Sequence, residues 1–190
     1  MLIFIGGGGH AKVLYDTVLA QNRVLYGYAD QKPQQWLDEL NIKYISDADL
    51  SSLVVNKPEL FIAFVGLDCE SLKKRITMMK DYHAKGAYFT PLIHPTAIVS
   101  KRATIPIGVQ ILPYAIVNSG AVIGEGAVIN SGAIVEHDAV IGAGVHVAPR
   151  AVVLGGASVG ECSYIGSSAV VVQNSVVPPG SFIEALTVYK

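Results

Sequence analysis

The chain has 190 residues, enough for one large domain or two small ones, and carries 14 Lys and Arg against 15 Asp and Glu. This near-neutral balance, without a basic stripe, argues against a nucleic-acid-binding protein. No apolar run has the length of a membrane span and no signal peptide pattern precedes the first strand, so we expect a cytoplasmic protein.

Residues 1–90 alternate strand and helix signals, which predicts a small, Rossmann-like parallel α/β sheet as a first domain. In chain order we predict a strand at MLIFI, a helix at 11–21, a strand at RVLYGYAD, a short helix at 34–40, a buried strand at 60–65, a helix at 71–83 and a short strand at 86–90. The two cysteines, Cys69 and Cys162, are isolated in sequence and are expected to be free thiols, with a disulfide as the alternative.

A glycine loop, FIGGGGHAK, joins the first strand to the first helix. Gly6, Gly8 and Ala11 fit the spacing G-x-G-x-x-[GA], which lets backbone N–H groups approach a diphosphate. Asp30 ends the second strand, at the position where a redox dinucleotide site has the acidic residue that hydrogen-bonds the ribose. The α/β part has only about half the length of a full dinucleotide fold, which argues against a redox dinucleotide and leaves another diphosphate ligand or a purely structural turn open.

From Ala97 onward the chain has a six-residue period over fourteen hexads. The first position is Ala in ten of them, and the third is always Val or Ile. The third positions are Val99, Ile105, Ile111, Val117, Ile123, Ile129, Val135, Ile141, Val147, Val153, Val159, Ile165, Val171 and Val177. Three hexads would close one triangular coil with the aliphatic side chain inward, so we predict a parallel β-helix in a second domain, residues 91–190.

The second residue of each hexad points outward. Grouping the second-position residues that lie 18 positions apart in sequence separates three faces. One face is a column of aliphatic residues: Ile98, Ile116, Ile134, Val152 and Val170. We expect this patch to be covered by another subunit, and a triangular prism suits a homotrimer. The alternative is a tolerated surface filled by residues of high β-propensity.

This second half resembles the hexapeptide-repeat acyltransferases, whose left-handed parallel β-helix is trimeric. Together with IGGGGHAK, the strand ending at Asp30, IAFVG at 62–66 and LIHPTAIVS at 92–100, the chain resembles the bacterial nucleotide-aminosugar N-acetyltransferases of bacillosamine-type pathways. The sialic-acid O-acetyltransferases belong to the same group. The resemblance implies acetyl-CoA as donor, no metal, and a nucleotide sugar held by the α/β domain.

The most informative hexad is AIVEHD, because it places His137 in a turn rather than in the inward column. An imidazole is suited to accept the proton that an amine loses when it attacks a thioester carbonyl. An adjacent carboxylate, Asp138 or Glu136, would fix the tautomer of the ring. The residues leave open which acid does so, and an exposed turn histidine without a role is the alternative.

The resemblance implies further site residues in both domains. For the donor it implies His146 close to the thioester and the backbone N–H of Gly155, beside Gly156, facing the acetyl carbonyl. For the acceptor it implies Asn130 near the sugar. The residues implied for the nucleotide are Gly8, Gly9, His10, Lys12, Asp30 and Gly66. Helix capping, ordinary turns and an exposed histidine are the alternatives for these positions.

We therefore expect transfer of an acetyl group from acetyl-CoA to the amine of a UDP-linked aminosugar, of the 4-amino-4,6-dideoxy type. O-acetylation of a sugar hydroxyl, a non-catalytic sugar-nucleotide-binding scaffold and a different acyl donor or amine stay open as alternatives. The G-x-P-A segment that contacts coenzyme A in many hexapeptide acyltransferases has no counterpart after Gly180, so the position of the adenine is not predicted.

Overall fold

The computed structural model describes residues 1–190, and its first part is a four-stranded parallel sheet in the order β3-β2-β1-β4. The strands are Leu2–Ile5 (β1), Gly27–Ala29 (β2), Lys43–Tyr44 (β3) and Glu59–Ile62 (β4). The helices are Gly9–Ala20 (α1), Gln35–Glu39 (α2), Asp47–Leu53 (α3) and Cys69–Ala84 (α4), and a single 3-10 turn at Val54–Asn56 follows α3. This is the small parallel α/β unit that the sequence predicts.

The prediction for this unit omits helix α3 and the short strand β3, and it places a strand at 86–90 that the structure does not contain. Helix α3 is not predicted because its sequence, DADLSSL, is mostly polar and Leu50 is the only residue that it buries. The helix begins after Ser46, whose side chain accepts a hydrogen bond from the Asp49 N–H. Residues 86–90 do not form a strand. They contribute one isolated bridge between Tyr88 and Glu59 at the edge of the sheet.

The remainder of the chain is a left-handed parallel β-helix with three flat faces, as predicted. Face I contains Leu92–Ile93 (β5), Gln110–Ile111 (β7), Val128–Ile129 (β10), His146–Val147 (β13), Tyr164–Ile165 (β16) and Phe182–Ile183 (β19). Face II contains Ile98–Val99 (β6), Ile116–Val117 (β8), Ile134–Val135 (β11), Val152–Val153 (β14), Val170–Val171 (β17) and Val188–Tyr189 (β20). Face III contains Val122–Ile123 (β9), Val140–Ile141 (β12), Ser158–Val159 (β15) and Val176–Val177 (β18).

Each strand pairs with the strand 18 residues further on, as in the register Val128↔His146 and Ile134↔Val152. The third-position aliphatics and first-position alanines form one buried cluster along the axis of the coil. The coil extends beyond the fourteen predicted hexads, because Ile93, Ile183 and Tyr189 continue the six-residue spacing at both ends. The C-terminal segment that lacks the G-x-P-A pattern is therefore a further coil.

The α/β domain packs on face I. Leu14 and Phe4 share one core cluster with Leu112 and Val128 of the coil. Helix α4 lies along the corner between faces III and I, where a Cβ on Gly144 would lie 2.6 Å from Ile76 Cγ1. The corner between faces II and III is thus the edge of the prism opposite the α/β domain.

Faces II and III are uncovered within the chain. Ile98 is 65% exposed and Val176 is 68% exposed, while Val122 and Val140 are more than two-fifths exposed. Ile116, Ile134, Val152 and Val170 are half-buried by their stacked neighbours. None of the four α-helices combines the length and apolarity that a membrane crossing requires.

Candidate active site

Glu136, His137 and Asp138 form the turn between β11 and β12, at the corner between faces II and III. Asp138 occupies the left-handed turn position with φ 60°, a position that glycine fills in many other hexads. Its carboxylate Oδ2 lies 3.0 Å from His137 Nδ1. The side chains of His137 and Asp138 are 59% and 72% exposed, so the pair faces out from the coil.

These contacts define the tautomer of His137. A carboxylate only accepts hydrogen bonds, so the contact with Asp138 places the proton of the neutral ring on Nδ1 and leaves the lone pair on Nε2. Nε2 has no hydrogen-bond partner within the chain. Glu136 Oε2 instead accepts from the backbone N–H of His137 at 3.3 Å. Of the two acids that the sequence leaves open, Asp138 is therefore the one that contacts the ring.

Gly155 and Gly156 lie in the turn one coil further on. The backbone N–H of Gly156 donates to the carbonyl of His137 at 3.0 Å, which ties the two turns together. The imidazole of His137 rests on Gly155, which is buried beneath it. The Gly155 N–H makes no hydrogen bond within the chain and is therefore a free donor beside the ring.

The glycine loop borders a separate cleft of about 540 Å³ at the carboxyl ends of β1, β2 and β4. Asp30 Oδ2 accepts from the Gly7 N–H at 2.8 Å, and the indole of Trp36 donates to the Gly7 carbonyl at 2.7 Å, so the loop is held from both sides. Gly8 precedes helix α1 without a side-chain cap, and the space beside Gly8 is open. An uncapped helix N-terminus in an open cleft is suited to a diphosphate.

The walls of this cleft also carry residues that the sequence analysis did not single out. Lys74 on α4 is the one cation among them, and Gln31, Asp47, Phe64 and Tyr82 add polar and aromatic surface. Lys74 lies in a helix of mixed charge, so nothing in the sequence distinguishes it from a solvent-exposed lysine. Its ammonium group gives this wall of the cleft a positive charge.

His10 and Lys12 follow the glycine loop but do not line the cleft. His10 Nε2 lies 2.8 Å from Gln110 Oε1 on face I, and Gln110 Nε2 donates to the Ile62 carbonyl at 2.8 Å. The Lys12 ammonium lies 5.7 Å from the centre of the Trp36 ring. In this structure His10 therefore contributes to the contact between the domains, and Lys12 lies over the Trp36 ring at the surface.

His146 lies in the junction between the domains and is only 3% exposed, so the exposed-histidine alternative is wrong. Asn130 Oδ1 accepts from the Ser131 N–H at 2.8 Å, which turns its amide nitrogen toward His146 Nε2 at 3.0 Å. Nε2 is therefore the acceptor, and Nδ1–H donates to the Gly66 carbonyl at 3.3 Å. Both ring nitrogens of His146, and the side chain of Asn130, are engaged within the chain.

Burial lowers the pKa of His10 and of His146 from 6.5 to about 4, and the nearby guanidinium of Arg75 lowers both further. Arg75 on α4 is itself 1% exposed, its pKa is lowered to about 10 by burial, and its Nε and Nη2 atoms have no hydrogen-bond partner. The junction thus holds two neutral histidines near one buried cation, Arg75. Both histidines form hydrogen bonds with other residues of the chain.

Cys69 and Cys162 are free thiols, and no group of three or more His, Cys, Asp or Glu side chains is arranged to hold a metal ion. The chain thus has two candidate sites. One is the His137–Asp138 pair at the corner between faces II and III, and the other is the glycine-loop cleft of the α/β domain, which packs on face I.

Comparison with known proteins agrees with this architecture. The family model of the PglD N-terminal domain matches residues 1–78. The acetyltransferase domain of PglB from Neisseria gonorrhoeae FA1090, solved in complex with acetyl coenzyme A, is 30% identical with a TM-score of 0.84, over 94% of this chain and 85% of that chain. A sequence search of curated proteins finds no significant match.

Two further solved structures are similar over nearly the whole chain. PerB from Caulobacter crescentus, in complex with CoA and GDP-perosamine, is 27% identical with a TM-score of 0.78, over 98% of this chain and 92% of that chain. WeeI from Acinetobacter baumannii AYE, at 19% identity and a TM-score of 0.75 over 100% of this chain and 96% of that chain, shares the fold. The chain therefore belongs to the hexapeptide-repeat family of acetyl-CoA-dependent sugar N-acetyltransferases.

Proposed function

We propose that this enzyme transfers the acetyl group of acetyl-CoA to the amine of a UDP-linked 4-amino-4,6-dideoxy sugar, in the synthesis of a bacterial glycan of the bacillosamine type. The observation that carries the proposal is the His137–Asp138 pair, in which the carboxylate holds Nδ1–H at 3.0 Å and leaves Nε2 free beside the unpaired N–H of Gly155. A base and an oxyanion donor lie side by side, as acyl transfer requires.

The neutral amine attacks the thioester carbonyl, and the C–N bond forms as the carbonyl oxygen takes up negative charge. His137 Nε2 accepts the proton that the nitrogen loses, while Asp138 stabilises the imidazolium that results. The Gly155 N–H donates to the oxyanion. When the C–S bond breaks, the imidazolium returns the proton to the departing thiolate, so the products are the N-acetyl sugar and free coenzyme A.

The nucleotide part of the acceptor fits the glycine-loop cleft. A diphosphate at the open N-terminus of α1 would meet the N–H groups of the loop and the Lys74 ammonium. Asp30 lines the cleft and acts through the loop in this proposal, because its carboxylate Oδ2 accepts hydrogen bonds from the Gly7 N–H and from the Gln34 amide. Loop rigidity lowers the entropic cost of binding.

The two sites cannot serve one another within one chain, because the His137 corner lies opposite the face that carries the cleft. A neighbouring subunit would bring its own cleft to that corner and would cover the exposed aliphatics of faces II and III. The proposal therefore includes a homotrimer in which each active site is shared between two subunits. The exposed patch of Ile98, Val122, Val140 and Val176 supports this assembly.

The acceptor is tested by incubating the protein with acetyl-CoA and 4-amino sugars linked to UDP, GDP or dTDP, and measuring release of the free thiol. We expect release with the UDP-linked amine and little release with its 4-hydroxyl analogue. Faster release with the GDP- or dTDP-linked amine would overturn the choice of nucleotide. Release with the hydroxyl analogue alone would indicate O-acetylation, and no release from folded protein would indicate a binding scaffold.

The shared site is tested by mixing two inactive variants. His137→Asn removes the base, and Gly8→Asp places a negative charge where the diphosphate should lie; the space beside Gly8 is open, so the fold should tolerate Asp. Gly8→Asn is the uncharged control for Gly8→Asp. Co-expression of His137→Asn and Gly8→Asp should restore about a quarter of wild-type activity, since about one neighbouring pair in four supplies both intact parts. No recovery in mixed trimers would contradict the shared site.

A further inference from the structure

The contact between His137 and Gly155 gives that glycine a second function. An ideal Cβ on Gly155 would lie 2.7 Å from both Cε1 and Nε2 of His137, and 3.3 Å from its Cδ2. Side-chain carbons essentially never approach other heavy atoms this closely. The imidazole therefore occupies the volume that any side chain at position 155 would fill.

Backbone conformation does not explain why position 155 is glycine. Its φ lies outside the left-handed region, unlike that of its neighbour Gly156 at +66°. The residues 18 positions away on either side of the His137–Gly155 pair, Ser119 and Gln173, carry side chains in the same column of the turn. What distinguishes position 155 is the ring that lies on it.

Asp138 packs in a similar way against the preceding coil, which contains Ser119 and Gly120. A Cβ on Gly120 would collide with Asp138 Oδ1, and the Asp138 N–H donates to the Ser119 carbonyl at 3.1 Å. The imidazole thus leans on one neighbouring coil and the carboxylate on the other. The side chain of His137 is 59% exposed and its ring hydrogen-bonds only to Asp138 within the chain, so the contact with Gly155 contributes to holding the ring in place.

We propose that Gly155 is a positioning residue, whose missing side chain forms the seat that holds the His137 imidazole against Asp138 with Nε2 aimed at the reacting amine. This inference rests on the proposed role of His137 as the base. It is distinct from the oxyanion role of the Gly155 N–H, because that N–H is retained when alanine replaces glycine.

The test is Gly155→Ala, compared with Ser119→Ala as a control in the same turn column. To regain ordinary contact the ring must move by about 0.7 Å, and a misplacement of this size costs on the order of tenfold to a hundredfold in kcat. We expect that loss in kcat with the KM for acetyl-CoA changed less than about threefold, and an unchanged melting temperature. Ser119→Ala should keep wild-type kcat.

Two measurements separate the seat from other effects of the added methyl group. For the neutral ring in the ligand-free protein, nitrogen NMR of His137 should show a protonated Nδ1 and an unprotonated Nε2, and Gly155→Ala should shift the ring toward a mixture of tautomers. In the His137→Asn background, Gly155→Ala should cost no further activity. A raised KM for acetyl-CoA with unchanged tautomer signals would show that the methyl group blocks the donor and would overturn the seat.

The inference and the proposed function can fail independently. If His137→Asn keeps wild-type activity, then the base is misassigned. If His137→Asn is inactive while Gly155→Ala keeps both wild-type kcat and the wild-type tautomer signals, then the base stands and the seat is wrong.

Discussion

Acid should destabilise the junction between the domains, because the buried ring of His146 and the half-buried ring of His10 are held there in the neutral form. Burial lowers the pKa of each from 6.5 to about 4, and the guanidinium of Arg75 acts in the same direction. The unfolded chain takes up a proton on each ring near its ordinary pKa, whereas the native protein does so only near pH 4. Between these values the unfolded state binds more protons, so the free energy of unfolding falls as the pH falls.

The magnitude follows from the two pKa values. Full stability is present above about pH 6.5, and each ring removes about 1.4 kcal/mol per pH unit within the window, up to about 3 kcal/mol once the pH reaches the native pKa. Two rings together should cost several kcal/mol, which is a large share of the stability of a domain of this size. The effect should be apparent before most carboxylates titrate.

The assay is urea unfolding at constant ionic strength between pH 7 and pH 5, followed by circular dichroism and by the fluorescence of Trp36, the one tryptophan. His146→Gln and His10→Gln should each reduce the pH slope by about one proton, and the double variant should reduce it by about two. His94→Gln, which removes an imidazole from a turn of the first coil, controls for the loss of a ring as such. A double variant with the wild-type slope would refute the reasoning.

Three further predictions concern stability and the acid of the catalytic pair. Ile141→Ala removes a fully packed side chain from the axis of the coil and should cost about 2–5 kcal/mol in urea unfolding, whereas Val140→Ala on the exposed face should cost under about 1 kcal/mol; equal costs would contradict the inward–outward assignment. Arg23→Met leaves the buried carboxylate of Glu59 without its cation and should cost about 3 kcal/mol, most of it recovered by adding Glu59→Gln; additive losses would contradict the ion pair. Asp138→Gly removes a left-handed non-glycine residue and should raise stability by about 1 kcal/mol while lowering kcat at least about tenfold, and a variant that is more stable and fully active would argue against Asp138 as the orienting acid.

The six-residue period predicts the coil almost completely, because each third-position side chain packs against Val or Ile side chains of adjacent coils and only a branched aliphatic of similar size fits. The same period fails to say what covers each face. His146 points outward from the coil as predicted, yet it is buried, because the α/β domain packs on face I. Periodicity along one element does not encode contacts with another.

The α/β domain is less predictable at the level of side chains. The glycine loop and Asp30 are recognised by their spacing, but their hydrogen bond to each other is visible only in the folded chain. Arg75 reads as one more charge in a polar helix, whereas it is the largest fully buried side chain of the protein. The contact of His10 with Gln110 spans 100 positions in sequence, so no local pattern could reveal it.

In the proposed reaction the His137 imidazole, held by Asp138, accepts the proton of the acceptor amine. The most direct measurement is kcat of His137→Asn at saturating acetyl-CoA and amino sugar, with binding of both substrates checked by calorimetry. We expect a loss of about a hundredfold to ten-thousandfold in kcat, with both dissociation constants close to those of the wild type. A variant that binds both substrates and turns over within about threefold of the wild-type rate would contradict it.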